Sequence, residues 1–189
     1  MTISMTALWL PILLSTILAW IASMLIHMLL KYHDKDYQPL SNEDEVSAAI
    51  RNGNPGKGIH TLPFCVDMKA MGDPAVQAKF AKGPVAMLTI FDNGMPNMAK
   101  LVPQQILFFL FGMTLIGYAA SLALQPGTDY LVVFRFVSTA AFLTYGWANI
   151  PFSIWYGHPW GVTARFMADA FIYAFLTAGV FAWLWPGAA

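Results

Sequence analysis

The stretch SIWYGHPWGVTARFMADA, residues 153–170, decides the fold. Read as chemistry, it offers a histidine, an arginine and an aspartate among large aromatic rings. Read as structure, it is the bend between two membrane helices, and its own residues favour the bend. Pro151 and Pro159 bar a continuous helix, Gly157 and Gly161 permit a tight reversal, and Trp155, Tyr156 and Trp160 suit the headgroup region of a bilayer. The stretch sets no nucleophile beside a base and spaces no ligands for a metal, so it names no catalytic centre. His158 reads as an interfacial residue.

Apolar sequence runs outward on both sides. Of the 189 residues 58% are hydrophobic and only 11% charged, a balance far from that of soluble domains. A bilayer core of about 30 Å needs roughly 20 apolar residues in helical form. Four segments meet that length: Leu8 to Leu30, Leu101 to Leu124, Leu131 to Ser153, and Ala164 to Trp185. The expected fold class is therefore an all-α integral membrane protein, a bundle of four transmembrane helices. The Pro-Gly pair in QPGTDY makes the second and third spans an antiparallel hairpin. MTISMTALWL lacks a positive region before its apolar run and a small-residue cleavage site after it, so the first span is expected to stay rather than be removed as a signal peptide.

The sequence divides into an N-terminal span (1–30), a connecting segment (31–100) and a three-helix unit (101–189). Eight of the ten Lys and Arg residues lie between Lys31 and Lys100, which predicts a cytoplasmic connecting segment and outward-facing, periplasmic termini. That segment has signs of order. Ser41 with Asp44 fits a capping box and Gly53 a stop, which predicts a short helix; Asp73-Pro74 starts a second, and Gly83-Pro84 ends it. VAMLTIF, the turn Asp92-Asn93-Gly94 and MPNMAKLV read as a β-hairpin, with Pro96 confining the second arm to an edge.

Several patterns invite a function and lack its requirements. GNPGKGIHT resembles a phosphate loop, but Gly58 stands where a Ser or Thr must follow Lys57, and it reads as a flexible turn. His33, Asp34 and Asp36 are suitable metal ligands at no recognised spacing, and read as solvated charges where the first span leaves the membrane. Met68, Met71, Met87, Met95 and Met98 show no regular spacing for Cu(I) and read as packing. Cys65 alone excludes an internal disulfide within one chain. Zero net charge and the absence of a basic tract argue against nucleic acid.

Each span carries a polar seam: Thr16, Trp20, Ser23 and His27; Thr114, Tyr118, Ser121 and Gln125; Arg135, Ser138, Tyr145, Asn149 and Ser153; Arg165, Asp169, Tyr173 and Thr177. In the fourth span an Ala170, Ala174, Ala178 and Ala182 stripe runs beside the seam and admits another backbone, while Phe171, Phe175, Leu176, Val180 and Leu184 suit lipid. Four seams are expected to face one bundle axis. At 1.5 Å per residue, His27, Gln104 or Gln105, Asn149, Arg165 and Asp169 fall within about two turns of the inner face. Arg135, Tyr118, Ser121 and Gln125 form an outer group, with Asp129 the counter-charge for Arg135. Arg165 and Asp169, four apart, are expected to pair along their helix.

GPVAMLTIFDNGMPNMAK, FSIWYGHPW and DAFIYAFLTAGVFAWLWP resemble a widespread family of four-helix bacterial inner-membrane proteins of uncharacterised activity. The likeness covers most of the chain from Pro55 onward and implies that membrane, without implying an activity. The leading expectation is a non-enzymatic integral subunit that oligomerises or joins a larger complex, its inner cluster serving as hydrogen-bond glue. The alternatives are a small transporter or channel using that cluster, and a haem or quinone subunit with His27 or His158 as ligand. No cofactor is expected on the sequence, although haem stays open. A single histidine within a span leaves no pair of axial histidines at mid-membrane.

Overall fold

The computed structural model describes residues 3–187. In chain order the helices are α1 (Trp9–Met24), α2 (Glu43–Gly53), α3 (Pro74–Lys82), α4 (Met98–Ala123), α5 (Tyr130–Tyr145), α6 (Ile150–Trp155) and α7 (Trp160–Trp183). The strands are β1 (Gly58–Leu62) and β2 (Ala86–Ile90). Short turns extend α1 at both ends and join α5 to α6. Among the described residues four helices are then long and apolar enough to cross a membrane: Met5–Leu30, Met98–Ala123, Tyr130–Trp155 and Trp160–Trp183. Two compact units result, residues 3–37 with 96–187, and residues 38–95. Residues 31–37, which the sequence groups with the connecting segment, belong with the long helices.

Within the first unit α7 packs on α1 and α5, and α4 packs on the same two helices, so the four form a closed ring. The alanine stripe explains the tightest of these contacts, between α7 and α5. Ala170, Ala174, Ala178 and Ala182 are all buried, and α5 offers Val133, Val137 and Ala141 to them. At Gly146 the approach is so close that an added Cβ would lie 2.8 Å from the Ala170 Cβ. Phe109, Met113 and Ile116 of α4 and Phe181 of α7 fill the centre.

This packing overturns the expectation that all four polar seams face inward. Thr16, Ser121, Asp169, Tyr173 and Thr177 are buried, but Arg135 and Tyr118 are exposed. α5 turns its small and β-branched face to α7 instead, because that face lets the two backbones approach. Val180, read as lipid-facing, is buried. The bends are as local chemistry demands. Gly127 (φ 77°) turns the chain between α4 and α5, and its N–H donates to the Pro186 carbonyl at 2.8 Å. Gly157 (φ 73°) makes the second reversal, and the Ser153 and Thr163 hydroxyls meet across it at 2.6 Å. Gly161 is not part of that reversal, since Pro159 caps α7 and the helix starts at Trp160.

In the second unit α3 follows its sequence signals. The Asp73 carboxylate accepts from the Ala75 N–H at 2.8 Å, Pro74 sits in the first turn and Gly83 ends the helix. α2 starts one residue later than a Ser41 cap requires: Asn42 holds the cap position without a side-chain cap bond. The local hairpin is replaced by a longer-range pairing. β2 lies antiparallel to β1, with Gly58 opposite Ile90 and Leu62 opposite Ala86. The residues assigned to the second arm, from Met98 on, are the first turn of α4. Pro96 has no N–H to give a ladder, whereas each residue from Met98 adds a bond to a helix that is already long. Residues 58–61 of GNPGKGIHT, read as a flexible turn, are thereby part of strand β1.

Candidate functional site: a buried ion chain beside a polar cavity

The site starts where the first long helix ends irregularly. Its last turn, Leu25–Leu30, is a π turn closed by the Lys31 N–H donating to the Ile26 carbonyl, five residues back, at 3.1 Å. Such turns widen a helix locally and re-aim its side chains. Lys31 then takes a left-handed conformation (φ 51°, ψ 21°), and the 3-10 turn Tyr32–Asp36 folds back against α7. His33 and the Asp36 carboxylate are buried there rather than solvated, which corrects their reading as surface charges.

The partner on α7 is Asp169, only 2% exposed. His33 bridges two carboxylates. Its Nδ1 lies 2.7 Å from Asp36 Oδ2 and its Nε2 lies 2.9 Å from Asp169 Oδ2. Carboxylates accept, so both ring nitrogens have an acceptor waiting, an arrangement that an imidazolium satisfies with two N–H groups. Arg165 donates through Nε to Asp36 Oδ1 at 2.5 Å and pairs with it again through its terminal nitrogen. The Tyr32 hydroxyl donates to Asp169 Oδ1. Arg165, Asp36, His33, Asp169 and Tyr32 thus form one hydrogen-bonded chain in which donor side chains alternate with carboxylates. The expected Arg165–Asp169 pair along the helix is not made. Asp36 takes the guanidinium, leaving both Asp169 oxygens to Tyr32 and His33.

Burial pushes the Asp36 carboxyl up, but hydrogen bonds from Arg165 and His33 and their charges outweigh it and hold the group below the ordinary carboxylate range. Burial also pushes the Tyr32 hydroxyl up, reinforced by its bond to Asp169 and that group's charge, so Tyr32 stays a donor. Rings wall the chain in. His33 packs 5.0 Å from Phe166 and 4.6 Å from Tyr32, and the His27 ring stacks on it in parallel at 4.8 Å.

Asp169 also borders a cavity of about 380 Å³, which it shares with Ser23, His27, Gln105, Tyr145, Asn149 and Tyr173 among others. A neighbouring groove reaches His27, Gln104 and Gln105 from the other side. In comparisons with protein-family models, curated proteins and solved structures, no match to this chain was found.

The structure therefore brings His27, Gln105, Asn149 and Asp169 around one void, Gln104 to the adjacent groove, and Arg165 to the ion chain behind Asp169. The outer group does not assemble. Arg135 and Tyr118 are exposed and Asp129 lies in the exposed turn, while the buried Ser121 hydroxyl donates to its own helix at the Tyr118 carbonyl. His158 stands exposed in the second reversal, beside Phe152. Sequence reasoning missed His33, Asp36 and Tyr32 as members of the site. Their one signal is an aromatic and two ionisable residues directly behind an intramembrane histidine. The ligand atoms of His27, His33 and Asp169 all lie within 4.8 Å of one another, and among the described residues these three could hold a metal ion.

Proposed function

We propose that this chain is a four-span protein of a bacterial inner membrane whose helix ends enclose a binding site for a small cationic or polar solute. The observation that carries this reading is the company Asp169 keeps at the cavity. Helix–helix glue needs only the Asp169 pairs to Tyr32 and His33. It does not need Gln105, Asn149 and a second imidazole, His27, lining the same void. The opposite half of the bundle, around Met113, Ile116, Ala120 and Phe181, is closely packed, which favours a blind binding site over an open pore. The concentration of Lys and Arg in residues 31–100 supports a cavity opening toward the cytoplasm, with both termini periplasmic.

Ser23 borders the cavity and supplies the test. In a Cys65→Ser background, Ser23→Cys is expected to react with a small, membrane-impermeant thiol reagent in inside-out vesicles and to resist it in intact cells. Failure to react from either side would mean a dry packing defect and would end this reading.

A subunit role is the second reading, and a different observation favours it. Phe64, Val66, Met68, Phe91 and Met95 are all exposed in the second unit, an unusual display for a segment outside the long helices. Mass measurement after gentle extraction distinguishes a lone chain from a homo-oligomer or a mixed complex.

A further inference from the structure

We infer that a first-row transition-metal dication binds at the edge of this cavity, held by His27 and Asp169, which border it, and by His33 beside them; the inference rests on the polar-cavity reading and gives its ligand a chemical class. The ion chain accounts for every member of the cluster except His27. That ring makes no bond to a carboxylate. It lies flat against His33, at 4.8 Å and 7° between planes, and its Nδ1 is 3.0 Å from the Ser23 carbonyl. A carbonyl oxygen only accepts, so Nδ1 turns its N–H to Ser23 and Nε2 is the ring nitrogen left to face a ligand. A second imidazole, beside a buried carboxylate but not bonded to it, has no role in the ion chain and a clear one in coordination.

The outer contacts match what ligating histidines require. A metal-bound imidazole gives its other N–H to a carboxylate or a backbone carbonyl, which fixes the ring and raises its basicity. His27 has the Ser23 carbonyl, and His33 has Asp36, itself held by Arg165. Metal–ligand distances of about 2.0–2.2 Å place neighbouring ligand atoms about 3–3.5 Å apart. His33 Nε2 and Asp169 Oδ2 stand at 2.9 Å already. His27 completes the set by tilting its ring out of the stack on His33, a small motion for an exposed side chain whose Nδ1 stays near the Ser23 carbonyl. The dication takes the place of the proton between His33 Nε2 and Asp169, and that proton leaves to solvent.

Two imidazoles and one carboxylate suit zinc, iron(II) or cobalt(II), whereas calcium and magnesium prefer an all-oxygen shell. Three protein ligands leave a coordination position open, and the cavity side, with Gln105 and Asn149, is where water or a second ligand would take it. The spacing of His33, Asp34 and Asp36 hides this set, since its third ligand is 136 residues from His33.

The test is a titration of untagged, chelator-treated full-length protein in detergent with Co²⁺, read by its visible absorption, followed by displacement with Zn²⁺. One Co²⁺ per chain is expected. His27→Ala should weaken it by at least about tenfold while leaving the melting temperature of the chelated protein unchanged, and Asp169→Asn should do the same to affinity. His27→Gln serves if the alanine variant folds poorly. The double variant His60→Ala, His158→Ala removes the histidines elsewhere in the chain and should bind as the parent does. Cobalt that is absent, or that binds His27→Ala and the parent alike, overturns the assignment. If Ser23→Cys still reacts with the thiol reagent in that case, the polar cavity stands without the metal; if it does not, both fall.

Discussion

At the scale of single residues, the chain from Arg165 to Tyr32 depends on two carboxylates, and their removal has unequal consequences. Asp169→Leu leaves the Tyr32 hydroxyl and the His33 Nε2–H without acceptors in a buried place, and is expected to cost about 3–5 kcal/mol. Asp169→Asn keeps an oxygen at the same position and is expected to cost about 1–2 kcal/mol. Melting in detergent separates the two variants, and equal melting temperatures would show that the Asp169 carboxylate does not anchor the chain. Asp36→Ala and Asp169→Leu share His33, so their effects should not add; a coupling of about 0.5–3 kcal/mol is expected from the double variant. Asp34, exposed two residues before Asp36, is the contrast, and Asp34→Ala should stay within about 0.5 kcal/mol of the parent. The difference between these neighbours also explains what sequence could and could not tell. Asp169 and Asn149 stand out because ionisable and amide groups are expensive inside an apolar run. His33, Asp34 and Asp36 lie just beyond such a run, where charge is ordinary, and only the left-handed Lys31 decides which of them turn inward. No pattern of side chains announces that reversal.

At the scale of elements, glycines mark where helices touch. A Cβ at Gly146 would lie 2.8 Å from the Ala170 Cβ and 2.9 Å from the Phe142 ring, two groups already packed between α5 and α7. Gly146→Ala is therefore expected to push these helices apart and cost about 1–3 kcal/mol, read as a lower melting temperature. At Gly112 the obstacle is the end of a flexible side chain, the Tyr145 hydroxyl. Gly112→Ala should disturb the cavity, which Tyr145 lines, more than the fold. The alanine stripe of α7 was legible because small residues every four positions have one use in a membrane-length helix. The caps of α3 were legible because Asp, Pro and Gly act within a few residues of themselves. Pairing of β1 with β2 was not, since Asp92-Asn93-Gly94 makes a local hairpin signal while the true partner lies on the far side of α3. The register of seams was half legible: period 3.6 places Arg135 and Asn149 on one face of the third long helix, but cannot say that Val133, Val137 and Ala141 outbid that face for contact with α7.

At the scale of the whole molecule, hydropathy carries the architecture and charge carries its orientation. Four runs of about 20 apolar residues leave few ways to satisfy backbone groups other than as helices, which is why the count was readable from composition and length. Orientation rests on a weaker asymmetry, because eight acidic residues share the segment that holds eight of the ten Lys and Arg residues. Basic residues dominate such decisions and acidic ones count little, so residues 31–100 are expected on the cytoplasmic side. Cys65 lies in that segment as a free thiol of intermediate exposure, its Sγ directed at the Asp67 carbonyl at 3.1 Å. It is also the only cysteine in the chain, so its labelling reports on one place. A membrane-impermeant maleimide applied to intact spheroplasts should leave it unmodified, and the same reagent applied to inside-out vesicles should modify it, with detergent-opened membranes giving the full extent. Modification in spheroplasts and protection in inside-out vesicles would reverse the chain. The termini would then face the cytoplasm and the cavity beside Asp169 would open to the outside, where a dication would be drawn from the periplasm rather than from the cell interior.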